Sequence, residues 1–369
     1  MISFTLFYIS FFIIAFLFVP KCVNNNSQIN CELDLHKYVL LCLCLLLYFG
    51  FGLFGYDTKN YYWFYQSTKP LYFFSIFDYK KEHLFYLLMS ICKTFGLNYA
   101  WFRFINMLLD LILLYNVFNL FLEKKLWSFA FIIFFLFGGM NFSIDFIRNG
   151  KSLLFLMIAI NYLNENNYKK FIFYSICSFL FHITSIFLVA SCFITKIFLN
   201  KKFVLFLFCI GFVMGVTGYG LGKVLLPLIQ KIFFGELGSL INDYANDSWT
   251  VAHGFSFGMI ERIISFYIVY KYQDMLLKDY KCSKYFITFM YIHIFICFYF
   301  LDFTIIYERL ASLYKISYWV LFPQIFNYQS GKKKNYIYVI LFFYGLLKVY
   351  NNFNHEVYLP NGFILENGF

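Results

Sequence analysis

The stretch that decides the fold runs from Asp145 to Ser185 and reads DFIRNGKSLLFLMIAINYLNENNYKKFIFYSICSFLFHITS. Two apolar runs are joined by a short polar loop, with Arg148 before the first run and His182 inside the second. Ionisable side chains are costly beside hydrocarbon-length helices, so a chain that keeps them there usually uses them. The stretch predicts membrane-embedded helices with functional side chains near their ends.

The composition of the whole chain also indicates that it lies in a membrane. The 369 residues are 62% hydrophobic and 13% charged, and a water-soluble fold of that composition would expose large apolar patches. The apolar runs alternate with short polar loops along the entire chain. They predict an all-α polytopic integral membrane protein, with residues 1–369 as one membrane domain. Counted at about 20 residues per crossing, it has about ten transmembrane helices.

The net charge of +11 is spread over small groups of lysines between the apolar runs. That distribution is typical of cytoplasmic loops and forms no basic face for nucleic acid. The ten cysteines are scattered, without a paired motif or metal-ligand spacing. No nucleotide-binding or hydrolase signature occurs either. We therefore predict no metal, no cofactor and no nucleic-acid partner.

The second apolar run of the opening stretch is too long for one crossing. It extends from Phe171 to Leu199 and has basic residues at both ends, so a single crossing would place one basic cluster outside. A re-entrant or broken hairpin that turns at His182–Ser185 removes this conflict. Non-helical backbone at membrane depth is tolerated where it is buried in protein or lines a wet cavity.

Three other segments carry specific expectations. Residues 55–65 are too polar and aromatic to span, which predicts a loop or an interfacial belt. The span Ala100–Leu122 places Arg103, Asn106 and Asp110 on one helical face, which should point to protein or water. Residues 220–258 form a long extracytoplasmic loop flanked by glycines, a lid or substrate platform.

Arginines near the outer leaflet are the candidate phosphate ligands. Guanidinium groups bind phosphate oxygens in a bidentate way and stay charged when partly desolvated. Arg148, Arg309 and Arg103 are therefore predicted to bind pyrophosphate. The alternative for each is a helix-end anchor or a structural ion pair.

The candidate general base is His182, because an imidazole can remove a proton from an acceptor hydroxyl near neutral pH. A buried histidine bonded to a carbonyl is the alternative. Asp57 is the second candidate base, although its place beside Thr58 is equally typical of a helix cap or a turn. Glu82 and Glu308 are carboxylates that suit either a base or a sugar-hydroxyl ligand.

Aromatic side chains are the candidate glycan contacts, because their faces stack on sugar rings. Tyr61, Tyr65 and Trp249 are predicted to bind glycan together with Glu308. An interfacial aromatic belt is the competing explanation for the tyrosines.

Several short motifs, in order along most of the chain, resemble the EpsG family of Wzy-like exopolysaccharide, capsule and O-antigen polymerases. The matching residues are Tyr56-Asp57, Asn60-Tyr61 and Tyr65, then Glu82, Gly96-Leu97-Asn98, Phe146 to Gly150, Phe181-His182 with Ser185, and Glu308-Arg309. Family members commonly have glutamine where this chain has Asn149, which keeps the amide but shortens its reach.

The resemblance implies a GT-C-like membrane glycosyltransferase in the bacterial inner membrane. Such an enzyme transfers a growing glycan from undecaprenyl pyrophosphate to a second lipid-linked repeat unit at the outer face. Its partners would be the undecaprenyl-pyrophosphate-linked oligosaccharide, the lipid bilayer, and a chain-length regulator and flippase of the same pathway. A flippase of lipid-linked oligosaccharide and a non-catalytic assembly component are the rival functions.

Overall fold

The computed structural model describes residues 57–75, 79, 81–139, 142, 145–222, 256–303 and 309–353. The apolar runs at residues 3–19 and 38–54, which predict the first two membrane spans, lie outside these residues. Glu308 and most of the long loop, including Trp249, lie outside them as well.

All regular elements in these ranges are helical, which confirms the predicted all-α class for this part of the chain. The helices are α1 (Thr58–Ser67), α2 (His83–Thr94), α3 (Tyr99–Phe121), α4 (Trp127–Phe134), α5 (Ile147–Asn164), α6 (Tyr168–Phe181), α7 (Ser185–Ser191), α8 (Thr195–Phe198), α9 (Lys201–Thr217), α10 (Phe257–Asp279), α11 (Ser283–Tyr299), α12 (Ala311–Leu313), α13 (Ile316–Asn327) and α14 (Lys332–Phe353).

Helix α3 is the one described helix whose length and apolar composition would let it cross a membrane. It begins after Asn98, whose side-chain oxygen accepts the N–H of Trp101 at 3.1 Å and so caps the helix. Arg103, Asn106 and Asp110 on this helix are all buried. Their common face is thus turned to protein, which is one of the two surroundings that the spacing predicts. The other predicted crossings stay predictions.

The predicted helix break at His182–Ser185 is confirmed. Helix α6 ends at Phe181, His182 has an extended backbone, and α7 begins at Ser185. The last helical hydrogen bond of α6 runs from the His182 N–H to the Ser178 carbonyl, at 3.0 Å. The side chain of His182 therefore projects from a non-helical backbone.

The expectation of a loop at residues 55–65 is wrong where the structure describes it, because Thr58–Ser67 is helix α1. The helix buries Thr58, Tyr61 and Tyr65, a stripe at helical spacing. The polar residues that argue against a spanning helix occupy the other faces. Such a stripe stabilises a short helix through tertiary packing.

The chain divides into two compact units. The described residues up to Ile186 form the first unit together with those from Phe322 onward, and Phe187–Leu321 forms the second. In the first unit, α5 and α6 pack against each other and α3 packs on α5. An aromatic core that includes Tyr61, Phe85 and Phe102 joins α1, α2 and α3. In the second unit, α11 packs against α9 and α10.

Candidate active site

Glu82 lies at the centre of a polar cluster in the first unit. It immediately precedes α2, is 4% exposed and has a φ of +63°. Left-handed backbone is uncommon for residues other than glycine, asparagine and aspartate, and such conformations concentrate at functional sites. The Glu82 carbonyl accepts the N–H groups of Phe85 and Tyr86, so the first turn of α2 fixes this backbone.

Each carboxylate oxygen of Glu82 has its own partner. Oε1 lies 2.7 Å from Nδ1 of His182, and Oε2 accepts a hydrogen bond from Nη1 of Arg148. An ionised carboxylate only accepts hydrogen bonds, so Nδ1 of His182 carries the proton and donates it. In the neutral imidazole, Nε2 then keeps its lone pair. Within the described residues, Nε2 has no hydrogen-bond partner.

The electrostatics of the cluster keep Glu82 ionised. Burial alone would raise its pKa. The hydrogen bond from His182 and the positive charge of Arg148 outweigh burial and hold the pKa of Glu82 below its ordinary value of 4.5. The carboxylate is therefore charged at neutral pH and can stabilise a protonated imidazole at His182.

Arg148 reaches Glu82 from the first turn of α5. Its guanidinium carbon also lies 5.3 Å from the ring centroid of Tyr61, a cation–π distance. Burial raises the pKa of the Tyr61 phenol, so this ring stays neutral. Nε of Arg148 is buried without a hydrogen-bond partner among the described residues. The guanidinium also has a hydrogen-bonding interaction with the Tyr61 side chain and keeps donor capacity beyond these two partners.

Asp57 belongs to the same cluster. Its backbone N–H donates to Oδ1 of Asp145 at 2.9 Å, and its carboxylate accepts from Nδ2 of Asn60 at 3.1 Å. Both aspartates are close enough to Tyr61 to interact with its phenol electrostatically. Asp57 occupies the N-cap position of α1, as the helix-cap alternative expects, but its side chain makes no capping hydrogen bond to the helix.

The structure places Arg103 in a second buried group of charges. Nζ of Lys151 lies 2.9 Å from Oδ1 of Asp110, and both side chains are almost fully buried. Arg103 is 3% exposed and interacts electrostatically with both residues. This arrangement matches the ion-pair alternative for Arg103, and its role in pyrophosphate binding stays a prediction.

Arg309 lies in the second unit, just before α12, and is exposed. Its carbonyl accepts the hydroxyl of Ser312 at 2.7 Å, which fixes the local backbone. The predicted binding of pyrophosphate by Arg309 stays a prediction.

The two predicted glycan tyrosines are core residues. Tyr61 is 1% and Tyr65 is 2% exposed, and the Tyr65 hydroxyl donates to the Leu97 carbonyl at 2.6 Å. The Tyr65 ring also stacks on Phe102 with centroids 5.2 Å apart. These contacts favour packing over stacking on a sugar. Trp63, on the same helix, is 68% exposed.

Sequence patterns mark Glu82 as one carboxylate among several and give it no specific catalytic role. Its partners Arg148 and His182 are 66 and 100 positions away along the chain. No local spacing connects such residues. The one local signal is a charged residue directly before an apolar helix, which is also what an ordinary helix start looks like.

A buried carboxylate that orients a histidine, with an arginine beside it, is an arrangement suited to general acid–base catalysis. It lies in an all-helical part of the chain. Among the described residues, no three histidine, cysteine, aspartate or glutamate side chains are placed to hold a metal ion.

The chain belongs to the EpsG family, whose model matches residues 37–364. This match confirms the resemblance seen in the sequence. The family is one of exopolysaccharide-related, glycosyltransferase-like polymerases, so the chain is associated with polysaccharide biosynthesis. No curated protein and no solved structure matches the chain at a significant level.

Proposed function

We propose that this protein is a polysaccharide repeat-unit polymerase. It transfers a growing glycan from undecaprenyl pyrophosphate to a second lipid-linked repeat unit, at the outer face of the bacterial inner membrane. Family membership supports the polymerase class. The observation that carries the catalytic part is the simultaneous bonding of Glu82 to His182 and Arg148.

His182 is the general base in this proposal. Its Nδ1 donates to Glu82, which fixes the tautomer with a free lone pair on Nε2. Nε2 takes the proton of the acceptor sugar hydroxyl as the hydroxyl oxygen attacks the anomeric carbon of the donor. The bond from that carbon to the pyrophosphate oxygen breaks, and its electron pair leaves with undecaprenyl pyrophosphate. Glu82 stabilises the imidazolium that forms.

Asp57 is the alternative base, and geometry favours His182. The Asp57 carboxylate is bonded to Asn60, and no described neighbour holds it toward a ligand as Glu82 holds the imidazole. A base oriented by a third group is the usual arrangement for activating a hydroxyl.

Arg148 has two roles in the proposal. One edge of the guanidinium holds Glu82 in place, and the remaining donors bind the donor pyrophosphate. Negative charge on the leaving pyrophosphate increases in the transition state, which is when a fixed cation helps most. Arg309 and Arg103 are proposed to contribute to the two pyrophosphate sites, and Glu308 and Trp249 to contact glycan.

Polymerisation by the purified protein tests the proposal. The full chain, reconstituted in lipid vesicles with lipid-linked repeat units alone, should produce a ladder of polymers. His182→Gln should abolish the ladder while binding of lipid-linked repeats persists. A ladder of normal yield from that variant would refute His182 as the base.

A matched control comes from the neighbouring histidine. His83 directly follows Glu82 at the start of α2, and within the described residues no contact joins its side chain to the cluster. His83→Gln should polymerise at the wild-type rate. No ladder from the wild-type protein would favour a non-catalytic assembly component. In a deletion strain, repeats trapped inside the cell would favour a flippase.

A further inference from the structure

We infer that Ser152 and Ser178 are positioning residues for His182. Their side chains form hydrogen bonds in both directions between α5 and α6, which we call the clamp. Ser178 lies four residues before His182, the first residue after α6. The catalytic consequence of this inference rests on the proposed role of His182. The clamp itself can be measured without the reaction.

The clamp consists of bonds in both directions. The Ser178 hydroxyl donates to the Ser152 carbonyl at 2.6 Å, and the Ser152 hydroxyl lies 2.8 Å from the Ser178 carbonyl. The two hydroxyl oxygens are 3.1 Å apart. Both side chains are buried. Reciprocal bonds between buried hydroxyls and helix carbonyls restrict the sliding and rotation of α6 relative to α5, because each bond weakens when its distance or angle changes.

The clamp extends to the backbone of His182. The Ser152 hydroxyl lies 3.3 Å from the His182 carbonyl, which also accepts the hydroxyl of Ser185 at 3.1 Å. The His182 N–H donates to the same Ser178 carbonyl that Ser152 contacts. Ser152 has a single hydroxyl proton, which is shared between carbonyls at the two ends of the last turn of α6. Both peptide groups of His182 are therefore tied to the clamp.

This geometry links the two helices that carry the proposed catalytic side chains. Arg148 lies on α5, one turn before Ser152. Ser178 lies on α6, and His182 follows four residues later, directly after the end of that helix. Both must meet the two oxygens of one carboxylate on Glu82. A shift of α6 along α5 would separate His182 from Glu82 while leaving Arg148 in place. Catalysis requires the reacting groups to be held to within well below 1 Å, so even a small shift of this kind slows the reaction.

Hydrogen exchange of the full-length protein measures the clamp directly. The amides of residues 182–185 should exchange faster in Ser178→Ala and Ser152→Ala, by roughly three- to tenfold, the effect of one net hydrogen bond. Ser175→Ala is the matched control. Ser175 lies one turn earlier on α6, and its buried hydroxyl has no hydrogen-bond partner among the described residues. That variant should exchange at the wild-type rate.

The kinetic consequence separates positioning from mere stability. Turnover per folded enzyme should fall roughly three- to tenfold in Ser178→Ala while KM stays unchanged. In a Glu82→Gln background the same substitution should have little further effect, because it acts through the His182–Glu82 contact. Additive losses would overturn the positioning role.

Other outcomes also decide the inference. If Ser178→Ala does not fold, Ser178→Cys is the second variant: its thiol is a larger and weaker donor than the hydroxyl, and residues 182–185 should still exchange faster than in the wild type. Wild-type exchange at residues 182–185 in these variants, or equal acceleration in Ser175→Ala, would overturn the clamp. If His182→Gln still polymerises, His182 is not the base and the kinetic consequence fails, while the exchange result stands by itself.

Discussion

Replacing Glu82 by Gln is the sharpest test of the cluster. The substitution keeps the size and shape of a side chain that is 4% exposed but removes its charge. Both partners, Nδ1 of His182 and Nη1 of Arg148, approach as donors. A carboxylate offers each donor an oxygen, whereas an amide offers one oxygen and one NH2 group. One of the two partners must therefore lose its acceptor.

The two ways of placing the amide have different consequences. If the NH2 group faces His182, the imidazole must accept at Nδ1, which moves its proton to Nε2 and removes the lone pair that the reaction needs. If the NH2 group faces Arg148, a partly buried guanidinium loses its carboxylate partner. Hydrogen bonds to charged groups contribute about 1.5–3 kcal/mol, against about 1 kcal/mol for neutral ones.

The expected magnitude is set by these contributions. Losing one charge-assisted bond and weakening the other removes about 3–4 kcal/mol of stabilisation from the imidazolium and its surroundings. At about 1.4 kcal/mol per tenfold change, polymerisation should slow by roughly 10²- to 10³-fold. Initial rates per folded enzyme, in vesicles with lipid-linked repeats, measure this loss. His83→Gln is the control. A rate for Glu82→Gln within threefold of wild type, in a folded protein, would refute the reasoning.

The pH dependence gives a second measurement on the same variant. The pKa of Glu82 is below its ordinary value of 4.5, so its contribution to stability is fully present above pH 4.5 and is lost as the pH falls through the lowered folded-state value. The difference in unfolding free energy between wild type and Glu82→Gln should shrink as the pH falls below about 4.5. A difference that stays constant or grows on acidification below about pH 4.5 would contradict the lowered pKa of Glu82.

The first unit supports three further predictions. Arg148→Ala should abolish polymer in cells while lipid-linked single repeats accumulate, and normal chain length on a gel would contradict its role. Asp110→Asn should lower the free energy of unfolding by about 3–5 kcal/mol because it leaves Lys151 charged and buried, and an apolar replacement of both residues should recover most of that loss in thermal melts. Tyr65→Phe should cost about 1–2 kcal/mol by leaving the Leu97 carbonyl unpaired, with polymer length unchanged; shortened polymer in a folded protein would support a glycan contact instead.

Helix positions can be predicted well from sequence because they depend on local patterns. The predicted span Ala100–Leu122 is observed as Tyr99–Phe121. The charges that flank a long apolar run predict the break at His182, and the structure has it at that residue. Such patterns do not predict helix α1, because its buried stripe is narrow and its other faces are polar.

The site is only partly predictable, because it is assembled from residues far apart in the chain. His182, Asp57 and Arg148 stand out as polar residues at the edges of apolar runs, and the structure places them in one cluster. The pairing of Glu82 with two of them depends on tertiary contacts that no single-sequence pattern encodes. Lys151 and Asp110 are a similar case, since their ion pair requires the packing of α5 on α3.

The pairing of Arg148 with Glu82 partly neutralises a proposed pyrophosphate ligand, and the proposed reaction gives a reason for this. Glu82, Arg148 and neutral His182 sum to zero charge, and proton transfer to His182 raises that sum by one. The increase coincides with the growth of negative charge on the leaving pyrophosphate. A site of this kind attracts the ground-state substrate weakly and the transition state more strongly, which is the condition for a high turnover rate.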